Sequence, residues 1–229
     1  MKKYAYKILY DFKRDVKNWL SAIDESEFEG KKWREGLYGY YLEEFNKISK
    51  MDELDAKKEL KKFVPIHFKD IIHKKQLEVE KEYSETFLKA CEYVEEITNK
   101  PLVTKSIKVY LTTFPRAPYS TEDGIIYFCI FWDNAISTLL HELLHMQVIK
   151  YWRNNKDSKI SKLSEKEFVY LNESLTFLVN DFANKQLDVG YEKHSAFRGE
   201  LKKYWDKGCS FEELLSFASI HIKEYSEKK

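Results

Sequence analysis

Glycine and proline are scarce in this chain of 229 residues, which contains 7 glycines and 4 prolines. The phosphate-binding patterns GxxxxGK and GxGxxG do not occur, so a nucleotide fold built on a glycine-rich loop is not expected. Lysine and glutamate are abundant instead, and this composition favours long helices over a sandwich or a barrel. Hydrophobic residues make up 43% of the chain, which is enough for a packed core and excludes global disorder.

Cysteine is also rare. Cys91, Cys129 and Cys209 form an odd set without CxxC spacing. This argues against a disulfide framework or a cysteine-based zinc site, and it fits a reducing compartment. Charged residues follow soon after Met1, so the N-terminus has no apolar signal-peptide core. Because no run approaches the roughly 18 apolar residues of a membrane span, we expect a cytoplasmic protein without a membrane partner.

Neither sign of charge is in excess. The chain carries 39 Lys and Arg residues against 38 Asp and Glu residues, a formal net charge of +1 at pH 7. Proteins that hold nucleic acid show a basic field or a basic stripe with interleaved aromatic residues. The sequence has neither feature, so no nucleic-acid partner is expected.

The first 98 residues predict a helical region that packs on the rest of the chain. Its first helix follows an apolar stripe with helical spacing, made of Tyr4, Ile8, Phe12, Val16, Leu20 and Ile23. Aromatic side chains mark a second helix from about residue 33 to 45. A third helix is predicted over about 52–63, ending before Pro65 because proline breaks helices, and a fourth over about 66–97.

The character of the sequence changes at residue 99. β-branched and apolar runs there predict strands, and N-cap residues with S-x-x-E capping boxes predict helix starts. The predicted elements are a strand at 105–113, a loop at 115–124, a strand at 125–132, a buried helix from Asp133 or Asn134 to about 153, a helix from Ser164 to about 184 and a last helix after Ser210. The expected fold is α+β and mostly α, divided into residues 1–98 and 99–229.

The buried helix contains an HExxH motif, which reads HELLH from His141 to His145. One helical turn separates the two histidines, so both imidazoles lie on one face at the spacing that a single Zn²⁺ requires. Glu142 lies next to that face, where its carboxylate can act as a general base without binding the metal. The motif interrupts a run of leucines, and buried imidazoles without a shared partner would carry a heavy desolvation penalty.

A zinc site needs a third protein ligand. The extension HExxHxxGxxH is excluded, because Val148 and Tyr151 occupy the positions of its glycine and third histidine. Glu173 is the candidate in the following helix, within the string YLNESLT. It lies between Val169 and Phe177 on its own row of that helix, so its carboxylate is expected to be covered and to need a cation or hydrogen-bond donors.

HELLH followed by a helix with YLNESLT resembles the gluzincin metallopeptidases, namely thermolysin-like proteases and the neutral zinc aminopeptidases with their WLNEG-type string. The resemblance covers about residues 105–184. It implies a zincin-like core with a small sheet, an edge strand beside the cleft, the HExxH helix and a helix that bears the glutamate. The predicted strand at 125–132 occupies the place of that edge strand. The resemblance also makes His141, His145 and Glu173 the zinc ligands and Glu142 the base.

The chain departs from this family in three places. The spacing from His145 to Glu173, 28 positions, is longer than in the best-known members, and the aminopeptidase string GxMEN does not occur. Phe177 stands where thermolysin-like proteases have an aspartate that supports a zinc-binding histidine; Thr176, Asn180 and Asp181 are the possible substitutes.

A peptide-cleaving zincin also needs a donor for the developing oxyanion, which in the relatives follows the ligand glutamate. His194 is the first choice here, with Tyr191, Tyr204 and His221 as alternatives. The sequence thus predicts a zinc-dependent hydrolase that cleaves peptides or proteins, with the substrate strand adding to 125–132. The alternative is a catalytically silent protein with a zincin fold and a structural zinc site, which serves in binding or regulation. The intact Glu142 favours the enzyme, since metal binding alone does not require it.

Overall fold

The computed structural model describes residues 3–24, 27–28, 31–32, 37, 39–182 and 192–226. The fold is α+β and mostly helical, with one small four-stranded sheet. The strands of the described chain, which also include a separate pair, are β1 (Ala5–Tyr10), β2 (Glu27–Phe28), β3 (Lys31–Lys32), β4 (Ser106–Thr112), β5 (Tyr119–Ser120) and β6 (Ile125–Cys129). Its α-helices are α1 (Phe12–Asp24), α2 (Tyr40–Ile48), α3 (Glu53–Thr98), α4 (Ala135–Val148), α5 (Glu165–Ser174), α6 (Ser195–Trp205), α7 (Phe211–His221) and α8 (Lys223–Ser226).

The four-stranded sheet has the order β1-β4-β6-β5. The first three strands are parallel, whereas β5 runs antiparallel to β6. Val109 of β4 stands between Ile8 and Ile126 in this register, and it is fully buried. β2 and β3 form a separate two-stranded ladder.

The predicted helix from Tyr4 onward is wrong for its first turns, because residues 5–10 form β1. Tyr4 and Ile8 share a face in a helix and also in a strand, so their spacing fits both periods. In the strand, Tyr6 and Tyr10 join them against the core, and the whole strand pairs with β4. Helix α1 begins only after Asp11, whose Oδ1 accepts a hydrogen bond from the Arg14 amide at 3.0 Å. One strand of the sheet therefore comes from the N-terminal region, and the division of the chain at residue 99 stays a prediction.

The predicted break at Pro65 is also wrong, since α3 is a single helix of 46 residues with this proline inside it. Leu60, Val64, Phe68 and Ile72 are buried on both sides of the break at a spacing of four. Pro65 itself faces solvent. Proline has no amide hydrogen, so a carbonyl group in the preceding turn loses its donor, and water can bind that group instead. Core packing therefore overrides the local cost of proline in a helix. Residues 33–36 and 38 of the predicted second helix lie outside the described residues, and α2 starts only at Tyr40.

The strand predicted at 125–132 is shorter than expected and does not lie at the edge of the sheet. It ends at Cys129, where a turn closes through a hydrogen bond from Trp132 N to Cys129 O at 3.0 Å. The two residues of β5, which fall in the predicted loop at 115–124, occupy the edge beside Ile125 and Ile126. The expectation that the edge strand lies at 125–132 is therefore wrong.

The helix starts after residue 130 are confirmed. Asn134 caps α4 by accepting from the Ser137 amide at 2.9 Å, and both capping boxes form, at Ser164 and at Ser210. The predicted end of the HELLH helix near residue 153 is confirmed, whereas the helix that starts at Ser164 ends earlier than predicted. α4 continues as a π-helical turn over Ile149–Arg153, and α5 gives way to a 3-10 turn over Leu175–Val179. No helix in the described part of the chain is long and apolar enough to cross a bilayer.

Candidate metal centre

Helix α4 is held in one orientation by its apolar surface. Leu139, Leu140, Leu143 and Leu144 are fully buried, and the helix packs against α3, α5 and β6. Rotation about the helix axis would expose these leucines, at a cost of about 1.5–3 kcal/mol for each side chain. The apolar packing therefore determines where the polar residues of the HELLH segment point.

Polar contacts also anchor both ends of α4. At its start, the carboxylate of Glu82 accepts from the amides of Ala135 and Ile136 at 3.3 Å each. Near its end, the Gln147 side chain donates to Thr98 Oγ1 at 3.2 Å and accepts from the Val103 amide at 2.9 Å. These contacts fix the helix along its axis, so the two histidines between them are positioned before any ligand binds.

The two histidines and Glu173 come together. The ring centroids of His141 and His145 are 4.2 Å apart, and α5 brings Glu173 to the same point. Its Oε2 lies 3.6 Å from His141 Nε2, and its Oε1 lies 3.4 Å from His145 Nε2. Both the His145 and the Glu173 side chains are buried, whereas the His141 side chain is 16% exposed. His141 is therefore the most exposed of the three side chains.

These distances suit a shared cation better than direct hydrogen bonds. A charge-assisted hydrogen bond between nitrogen and oxygen is about 2.7–2.9 Å long, so 3.4 and 3.6 Å are too long for strong ones. Two ligand atoms that each lie about 2.0–2.1 Å from a tetrahedral zinc stand about 3.3 Å apart. Glu142 Oε2, His145 Nε2 and Glu173 Oε2 are buried, and no residue in the described part of the chain forms a hydrogen bond with them. The residues present thus fit a bound metal, which would satisfy groups that are otherwise costly to bury.

Glu142 is a second carboxylate in this cluster. His141, Glu142 and His145 each offer a ligand atom within 4.8 Å of the others. Among the described residues, however, only the Glu173 carboxylate comes within ion-pair distance of the two imidazoles. Of the two carboxylates, Glu173 therefore lies closer to the ring nitrogens of both histidines, and its role as the third ligand stays a prediction.

Burial and mutual charge separate the protonation states of the cluster. Burial lowers the pKa of His141 to about 3, so this imidazole is neutral at pH 7 with a nitrogen lone pair available. Burial would raise the pKa of Glu173, but the two imidazoles, His145 foremost, lower it to about 2. Burial alone would lower the pKa of His145, but the neighbouring Glu173 carboxylate raises it above the ordinary value. Burial raises the pKa of Glu142 to about 8, which suits a group that exchanges protons near neutral pH.

Two further residues beside the cluster had no sequence signal. Asn172 is buried and is one of the groups that raise the pKa of His145, although only its place next to Glu173 could have drawn attention to it. Tyr119 of β5 lies with its ring centroid 5.9 Å from that of His145. Its segment was predicted as a loop, and nothing in the local sequence connects that loop to the HELLH helix.

The four predicted oxyanion donors lie in different places. His194 belongs to the 3-10 turn Glu192–His194 and is fully buried, with its ring centroid 4.3 Å from that of Tyr170. Burial lowers its pKa to about 4, and Glu173 is close enough to act against this shift. Tyr204 and His221 pack on Phe217, with centroid distances of 4.3 and 4.4 Å, and no described contact joins them to the metal cluster. Tyr191 lies outside the described residues.

Comparison with known proteins does not identify this site. The chain matches no family model, no curated protein and no solved structure. The functional assignment must therefore be argued from the geometry of the cluster and from the residues around it.

Proposed function

We propose that this protein is a zinc-dependent hydrolase of the gluzincin type and that it cleaves peptide bonds. The observation that supports this proposal most strongly is the convergence of His141, His145 and Glu173 with the spacing of zinc ligands. Two imidazole nitrogens and one carboxylate form a ligand set that zinc prefers, and catalytic zinc sites have three protein ligands. A substrate group would reach the remaining position from the side of His141, the most exposed of the three.

Glu142 supplies the proton transfer in this proposal. Bound zinc would polarise the scissile carbonyl group and make a water molecule acidic at neutral pH. Glu142 takes one proton from the water as its oxygen bonds to the carbonyl carbon. It returns that proton to the amide nitrogen as the carbon–nitrogen bond breaks, which leaves a carboxylic acid and an amine. The proton transfer therefore needs no group beyond Glu142 and the water.

We place the extended substrate on the β5 edge of the sheet rather than on β6. β5 is antiparallel to its neighbour, and no described strand pairs with its outer side. Unpaired amide and carbonyl groups on such an edge can bind the backbone of a peptide. The order of a small sheet, the HELLH helix and the Glu173 helix also agrees with the core that the resemblance to gluzincins implies.

A second candidate function follows from the burial of the cluster. Glu142 and His145 are almost inaccessible to solvent, and structural zinc sites are closed in this way. A catalytically silent zincin-like protein that binds or regulates a partner would keep the metal without turnover.

Replacement of Glu142 by glutamine separates the two candidates. We expect the wild-type protein, loaded with zinc, to cleave a fluorescence-quenched casein. Glu142→Gln should keep its zinc and lose hydrolysis by about 10²–10⁴-fold or more. Glu85→Gln, on the solvent-facing side of α3, is the matched control and should behave as wild type. Full zinc occupancy with no cleavage by the wild type would favour the structural site.

A further inference from the structure

Tyr119 holds a fixed position at the edge of the metal cluster. It pairs with Ile126 in the antiparallel ladder between β5 and β6. A hydrogen bond from Tyr127 N to Pro118 O at 3.1 Å extends this strand pairing by one residue. The backbone around Tyr119 is thus tied to the sheet, and its ring packs beside His145, with an angle of 36° between the ring planes.

The hydroxyl group of Tyr119 has no hydrogen-bond partner among the residues that the structure describes. Other tyrosines near the core do have one, such as Tyr83, which donates to Ala135 O at 3.3 Å, and Tyr93, which donates to Leu178 O at 3.0 Å. Tyr119 is half-buried, and Glu142 and Glu173 are close enough for their charges to act on its hydroxyl group. A donor therefore stands beside the cluster without a described acceptor.

His194, the donor predicted from the sequence, is less well placed for contact with a substrate. Its side chain is fully buried and packs edge-on against Tyr170, which belongs to α5. Tyr119 instead belongs to the strand along which the proposed peptide would lie. A tyrosine hydroxyl group ordinarily keeps its proton at neutral pH, so it is available as a donor.

We propose that the Tyr119 hydroxyl group donates the hydrogen bond that stabilises the oxyanion formed when water adds to the peptide carbonyl group. This inference rests on the proposed function and makes Tyr119 a catalytic residue of that reaction. The hydrogen bond strengthens as charge develops on the carbonyl oxygen, so it acts on the transition state more than on the bound substrate.

The test is Tyr119→Phe in the full chain loaded with zinc. This change keeps the ring against His145 and removes only the hydroxyl group. We expect kcat for a fluorescence-quenched peptide to fall by about 10²–10³-fold, the usual loss for one oxyanion donor, while KM stays nearly unchanged. The affinity for a phosphinic peptide, which mimics the tetrahedral intermediate, should weaken in parallel. Zinc content and melting temperature should not change. Tyr127→Phe, on the neighbouring strand with its ring against Tyr110, is the matched control and should keep full activity.

Each other outcome overturns a different part of the inference. Full kcat and full phosphinic-peptide affinity in Tyr119→Phe would contradict the role of Tyr119 and leave the hydrolase intact. Loss of zinc or of stability in that variant would make Tyr119 a support for His145 rather than a donor. A zinc-loaded wild type that binds no phosphinic peptide and cleaves no peptide would overturn the proposed function, and the role of Tyr119 with it.

Discussion

Glu173 and His145 come from different helices, and their side chains meet inside the protein with Oε1 3.4 Å from Nε2. Both ring nitrogens of His145 and the Oε2 atom of Glu173 are buried, and none of them has a hydrogen-bond partner among the described residues. A cation held between α4 and α5 would therefore also join these two helices. Metal binding and folding should be coupled in this protein, since ligands that share a cation become uncompensated buried groups when it leaves.

Removal of the metal should lower the melting temperature. Zinc at one hundred times its Kd stabilises a folded chain by about 2.7 kcal/mol. For a protein of this size that corresponds to about 5–10 °C. Calorimetry of the zinc-loaded protein with and without a chelator measures the shift. The His141→Ala/His145→Ala double variant should not respond to the chelator, and an equal shift in that variant would place the metal elsewhere.

Asp15 should be a major determinant of stability. Its buried carboxylate accepts from Thr112 Oγ1 at 2.7 Å, from Thr113 N at 2.8 Å and from Thr113 Oγ1 at 2.7 Å, which ties α1 to the end of β4. Asp15→Ala leaves these donors buried without an acceptor, at about 1–3 kcal/mol for each unsatisfied group. We expect urea unfolding to show a loss of at least about 3 kcal/mol. Asp70→Ala, at an exposed site on α3, should change little, and similar midpoints for the two variants would contradict the role of Asp15.

Glu95 should make stability depend on pH in the acid range. Burial would raise its pKa, but hydrogen bonds from Lys3, Tyr4 and the Leu102 amide lower it below the ordinary value. A depressed carboxylate pKa adds stability above the pKa of the unfolded chain, and this stability is lost as pH falls through the folded pKa. Glu95→Gln should therefore cost about 1–2 kcal/mol at pH 7 and less at pH 3, which lies below the ordinary pKa of a glutamate. Urea titrations at both pH values test this, with the exposed Glu92→Gln as control; a difference that persists undiminished at pH 3 would exclude the charge as its cause.

Pro65 should be a site where stability can be gained. It lies inside α3 and faces solvent, so alanine removes no core contact there. Pro65→Ala restores one backbone hydrogen bond and relieves a clash with the preceding turn, and proline in a helix interior costs about 3 kcal/mol. We expect the free energy of unfolding to rise by about 1–3 kcal/mol. A loss of stability would mean that the proline shapes a bend on which the packing of α3 depends.

Local sequence signals predicted the parts of the fold that local chemistry determines. The capping boxes at Ser164 and Ser210 formed as expected, because each one satisfies amides of its own first turn. The convergence of His141, His145 and Glu173 could also be anticipated, since helical spacing and the apolar neighbours of Glu173 constrain those positions.

Features that depend on long-range packing could not be predicted in this way. β1 is a strand because β4 offers it a partner one hundred residues further along the chain. α3 passes through Pro65 because buried residues on both sides hold it. Tyr119 lies beside His145 only through the pairing of β5 with β6, and a two-residue strand leaves no periodic pattern in the sequence.

Zinc stoichiometry together with zinc K-edge X-ray absorption of the purified full chain tests the proposed metal centre most directly. The proposed site predicts close to one zinc per chain, bound by two imidazole nitrogens at about 2.0–2.1 Å and by oxygen ligands. His141→Ala and His145→Ala should abolish this binding, and Glu173→Gln should weaken it. Sulfur ligands at about 2.3 Å, or full zinc occupancy after both histidines are replaced, would contradict the metal centre.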